Sequence, residues 1–233
     1  MSIMPILGAA AMPMTWMPMC GQSWLGAAAS FLGMWTLMMA AMMLPSLLPV
    51  LWRYRRSTGR AGRGSATLVT VPVAGGYLLA WSLLGAALYP LGTAAMALLA
   101  RLPAPGSVLS VGAGLTVALA GVLQLSSWKA SELACCRTQG YRELTQCGCV
   151  TPLDAMTAWR DGLRAGLHCI RCCAGVTAAL LVTGLMNGPV MLAAAVAINL
   201  ERLAPAGERI ARVVGVAMIG AGVLLTANAL GLH

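Results

Sequence analysis

Apolar runs long enough to cross a bilayer constrain this chain more than any other feature. They cover about 24–52, 67–89, 107–128, 167–186, 190–204 and 210–230. A helix needs about 20 mostly apolar residues to span the hydrocarbon core. Charged residues make up only 9% of the chain, against about 25% in a soluble domain. The expectation is an all-α membrane protein with six transmembrane helices and a Cys-rich cytoplasmic connection between the third and fourth.

The organisation follows in order. Residues 1–22 form a Met-rich extracytoplasmic tail and 23–128 carry helices one to three. The Cys-rich cytoplasmic segment is 129–166, and 167–233 carry helices four to six. Pro90 is expected to end or kink the second run. Gly114 and Ala118 offer a small face for close helix contact in the third. The fifth run, 190–204, is short for a span.

Basic residues set the orientation. Loop 53–66 holds five arginines and no acid, and placing it inside also puts 129–166 and 202–212 inside. Fourteen of the fifteen basic residues then lie inside or at the inner boundary, leaving Arg101 outside. The expected location is a bacterial inner (cytoplasmic) membrane, multi-pass, with both termini periplasmic. The net charge of +9 is thus spent on topology, which argues against nucleic acid as a partner. Residues 1–22 hold no Lys or Arg, so a cleaved signal peptide is not expected.

Sulfur supplies the chemistry. Seven of the eight cysteines fall between Trp128 and Cys173: Cys135, Cys136, Cys147, Cys149, Cys169, Cys172 and Cys173, joined by His168. On the cytoplasmic side thiols stay reduced, which favours metal binding or thiol exchange over bridges. Cys169, Cys172 and Cys173 fall at i, i+3 and i+4 and share a helix face, with His168 at its border. A fourth helix starting near residue 167 would lend its N-terminal partial charge to these thiols, and Arg160, Arg164 and Arg171 would add to it. Cysteine is also a common core residue, so the Cys172–Cys173 pair alone is equally well read as packing. No pair of CxxC knuckles has zinc-ribbon spacing.

Thioethers extend the pattern. Met34, Met38 and Met42 repeat every four residues, with Met39 and Met43 beside them, so one face of the first helix is lined with sulfur. Methionine fills irregular gaps well, and packing explains such a stripe by itself. Met12, Met14, Met17, Met19 and Cys20 lie in the tail, where there is no core to fill. Thiolates and thioethers together select Cu(I), with zinc the alternative. The expected arrangement is by depth, with thioethers outside and within the membrane and thiols inside.

Several segments resemble a family of bacterial integral membrane proteins described as metal-binding, some of them labelled copper chaperones. The matching pieces are Met38–Ser46, the segment from Lys129 to Arg137, Trp159-Arg160-Asp161-Gly162, Ala165–Cys173, Met186-Asn187 and Glu201-Arg202. They run from the first span to the start of the sixth. The family pattern differs in having His-Gly before the cysteines of the fourth helix and Gly in place of Arg171. The resemblance implies this fold and a metal association.

Polar residues elsewhere are few. Glu201 is expected at the membrane interface, paired with a neighbouring arginine. Gln124, Asn199 and Asn228 are expected to make inter-helix hydrogen bonds. Asp154, Trp159 and Asp161 are expected on a short amphipathic helix along the inner surface. No Ser-His-Asp set, P-loop or dinucleotide fingerprint occurs, so no enzyme is expected. The functional expectation is a protein that binds Cu(I) and passes it across the membrane or to a partner, a metalloenzyme or another membrane subunit. The rival is a non-catalytic accessory subunit of a larger membrane complex, with packing methionines and a structural zinc or free thiols. The expected partners also include membrane lipid.

Overall fold

The structure is a computed structural model that describes residues 23–57, 63–101, 106–134, 155–184 and 187–231. The tail methionines, Cys20, Cys135, Cys136, Cys147 and Cys149 lie outside the described residues. Among the described residues all regular structure is helical. The long helices are α1 (Trp24–Ser57), α2 (Arg63–Arg101) and α3 (Gly106–Leu125). Residues 127–134 form α4, followed by α5 (Ala155–Thr183), α6 (Gly188–Leu203) and α7 (Gly207–Ala229).

Five of these helices are long and apolar enough to cross a membrane: α1, α2, α3, α5 and α7. Their outer faces carry Leu25, Leu37, Leu91, Leu98, Val213 and Leu224, all largely exposed, as a lipid-facing surface requires. The expected fifth span corresponds to α6, which has 16 residues. At 1.5 Å per residue that is about 24 Å, short of a hydrocarbon core of about 30 Å.

Helix ends also depart from expectation. Helix α2 runs through Pro72 and Pro90 without ending at either, as membrane helices tolerate internal proline. Helix α5 begins at Ala155 rather than near 167. Trp159 and Asp161 therefore belong to the same helix as the cysteines, not to a separate surface helix. Helix α3 stops at Leu125, and Ser126 turns the chain into α4. Its hydroxyl donates to the Leu123 carbonyl (2.7 Å) and accepts from the Lys129 amide (3.3 Å). That is N-cap chemistry, and it starts the turn that carries Lys129.

Glycines fix how closely the helices cross. A Cβ on Gly162 of α5 would come 2.1 Å from the Val73 carbonyl oxygen of α2, and one on Gly76 would meet the Trp159 carbonyl at 2.3 Å. These two backbones touch, which holds α5 against α2 along its first half. The second close crossing joins α3 and α7, where Gly114, Ala118 and Gly121 meet Gly222, Thr226 and Gly215. The small face expected from Gly114 and Ala118 is thus used, in the manner of small-residue interfaces in lipid.

The main core gathers one face of α1 (Phe31, Trp35, Met38, Met39, Met42, Met43, Leu47), Tyr77 and Trp81 of α2, the α5 cysteines and Ile198 of α6. Trp35 is fully buried and donates its indole N–H to the Trp81 carbonyl at 2.9 Å. On the other side of α1, Ser46 donates to the Asn199 side-chain oxygen (2.8 Å), and the Asn199 amide donates to the Met42 carbonyl (2.9 Å). The expected inter-helix role of Asn199 is therefore met. It pins α1 to α6 at the turn that carries Met42 and Met43.

Candidate metal centre

Cys169, Cys172 and Cys173 lie on the buried face of α5, are almost wholly inaccessible and carry free thiols. Cys173 hydrogen-bonds with both Cys169 and Cys172. Facing them across the core is the methionine stripe: Met43 and Met39 are fully buried, Met42 and Met38 nearly so, and Met34 packs at the edge. The Cys169 sulfur lies 3.8 Å from the Met43 sulfur. Thiols and thioethers therefore meet at one place. They meet because α1 and α5 share one core; the tail methionines and the cysteines from Cys135 to Cys149, which the expected arrangement by depth also uses, lie outside the described residues.

Two hydrogen-bond donors converge on the same thiol. The Tyr77 hydroxyl of α2 donates to the Cys169 sulfur at 3.0 Å, and Arg202 of α6 donates through Nη1 at 3.1 Å. Both favour a sulfur anion, Tyr77 by hydrogen bonding and Arg202 by charge. The helix N-terminus expected to do this lies fourteen residues before Cys169, since α5 starts at Ala155, and a helix terminus acts only within its first turn. Arg160, Arg164 and Arg171 are exposed on α5. The cation that reaches the thiols comes from α6 instead.

Behind the thiols sits a second buried polar group. Lys129 pairs with Glu201 at 2.9 Å, and both side chains are almost fully buried. Gln124 donates to the same carboxylate, and the Lys129 ammonium donates to the Cys172 carbonyl oxygen. Burial presses Lys129 toward the neutral amine, but Cys172 and the Glu201 carboxylate outweigh it and raise its pKa. Glu201 thus pairs with a lysine 72 positions earlier, inside the bundle. The expected interfacial pairing with an arginine is corrected. Its cause is α4, which turns Lys129 inward.

His168 does not join the sulfurs. Its Nδ1 lies 3.6 Å from the Glu132 carboxylate of α4, with a quarter of the side chain exposed. Among the described residues no three His, Cys, Asp or Glu side chains are placed to hold a metal ion. Among the described residues Met43 is the thioether that lies beside Cys169.

Tyr77 and Arg202 are the site residues that sequence reasoning missed as contributors. Arg202 carried a signal as the neighbour of an acid in an apolar run, since ionisable residues at membrane depth are costly and usually functional. Tyr77 carried none.

No curated protein and no solved structure matches the chain. The PpoB2 family model, described as a copper chaperone, does match. The match covers residues 32–225, which takes in the stripe from Met34 to Met43, Tyr77, the α5 cysteines and the Glu201-Arg202 pair. The protein belongs to this family of copper chaperones.

Proposed function

We propose that the protein binds Cu(I) as cargo between Cys169, Cys173 and Met43, and passes it across the membrane or to a partner protein. The observation that carries this reading is the 3.8 Å approach of the Cys169 and Met43 sulfurs in a buried core. Soft thiolate and thioether donors select Cu(I) over harder ions. Two thiolates and one Cu(I) sum to a single negative charge, and the Arg202 guanidinium beside Cys169 balances it. A buried charge left unbalanced would be costly.

Met39, Met42, Met38 and Met34 continue the sulfur lining along α1 and give the ion a path of further thioethers. In this reading the basic loops face the cytoplasm of a bacterial inner membrane and both termini face the periplasm. The path then runs along α1 between the core and one membrane surface. In this reading the protein acts as a carrier, whose buried sulfurs bind and hold an ion.

Met43→Leu tests the thioether. The two side chains are close in volume, so the cost in stability stays below about 1.5 kcal/mol. Cu(I) affinity, read by competition with a chromophoric Cu(I) chelator in detergent, is expected to fall roughly tenfold or more, as for loss of a supporting contact or ligand. Unchanged affinity would remove Met43 from the site and leave the stripe as packing.

A further inference from the structure

A groove of about 310 Å³ lies on the outside of the bundle between α3 and α5. It exists because α5 presents Ala174, Gly175 and Ala178 there, side chains too small to fill the space against α3. Leu119 and Leu123 form its apolar wall and Trp128 stands at one end, each about half exposed. Lys129 and Gln124 line the floor, but both are already committed to Glu201, so the floor is neutral.

Arg171 is different. It also lines the groove and is exposed, on a helix long and apolar enough to cross the membrane. Twelve residues separate it from Thr183, the end of α5. That is about 18 Å along the axis, inside a hydrocarbon core of about 30 Å. A cation on a lipid-facing surface at that depth is costly unless it reaches an anion. Its long stem lets the guanidinium rise toward the headgroup level. Among the described residues no carboxylate forms an ion pair with it.

We propose that the α3–α5 groove binds one anionic phospholipid, with its phosphate on Arg171 and an acyl chain against Leu119 and Leu123. Basic pockets between transmembrane helices take anionic headgroups, and guanidinium suits phosphate because its planar fork matches the oxygens. Trp128 sits where an amphipathic ring favours the interface. The lipid would lie directly behind Cys172, which also lines the groove.

Native mass spectrometry of the detergent-purified full chain tests this, with phosphatidylglycerol and phosphatidylcholine of matched acyl chains added in turn. The wild type is expected to retain one phosphatidylglycerol with a preference of roughly five- to tenfold over phosphatidylcholine, the worth of one basic contact near the surface. Arg171→Gln should abolish the preference. Leu119→Trp, which fills the groove and keeps the arginine, should lose the bound lipid. Arg101→Gln, an exposed arginine at the end of α2, should change neither. Equal retention of the two lipids, a preference that survives Arg171→Gln, or an equal loss in Arg101→Gln would overturn the proposal. So would a lipid-free dimer that Leu119→Trp converts to monomer, since a second copy would then occupy the groove.

Discussion

Cys169→Ser is expected to abolish tight Cu(I) binding while the protein remains folded. Cys169 is where the site converges: Met43, Cys173, Tyr77 and Arg202 all reach its sulfur. Replacing that sulfur with a hydroxyl removes a soft ligand and leaves a hard one that Cu(I) disfavours. It also separates the donors from the ion they stabilise. Residues that only support a ligand cost roughly 10–100-fold in metal affinity, so losing the central ligand should exceed the upper end of that range. Competition titration against a chromophoric Cu(I) chelator reads the change directly. Serine accepts the Tyr77 and Arg202 hydrogen bonds in place of the thiol, so the fold keeps its polar contacts. A loss below tenfold would mean that the ion binds elsewhere.

The second large effect concerns stability. Lys129→Met leaves Glu201 buried with only Gln124 as a partner. Removing one member of a buried ion pair costs about 3–5 kcal/mol, because the remaining charge is uncompensated. Replacing both members by apolar residues of similar volume is often neutral. Lys129→Met should therefore lose about 3–5 kcal/mol, and Lys129→Met combined with Glu201→Met should recover most of it. Far-UV circular dichroism during unfolding in mixed micelles measures both. A single variant as stable as the wild type would mean that the pair is open to solvent. The pair matters to the thiols as well: Lys129 holds the Cys172 carbonyl and so ties α4 to the turn of α5 that carries Cys172 and Cys173.

These two sites were legible to different degrees in the amino-acid sequence. The helices were readable because a bilayer leaves a chain few choices: long uncharged runs must be helical. Their ends were less so. Pro90 reads as an end or a kink, yet α2 continues past it; Trp159 and Asp161 read as a separate short surface helix, yet α5 contains them. The shared face of Cys169, Cys172 and Cys173 follows from helical periodicity alone, and so does the methionine stripe. That the two faces meet does not follow, since the contact between Cys169 and Met43 joins positions 126 apart. The same holds for Arg202 on Cys169 and for Lys129 on Glu201, which depend on how α6 and α4 dock. Tyr77 gave no sign because a tyrosine in an apolar helix is ordinary until its hydroxyl has a partner.

Copper K-edge absorption on the Cu(I)-loaded wild type probes the sulfur site most directly. The expected spectrum is that of Cu(I) with a first shell made only of sulfur, from Cys169, Cys173 and Met43. A first shell containing nitrogen or oxygen, or purified protein that takes up zinc and no copper, would contradict it.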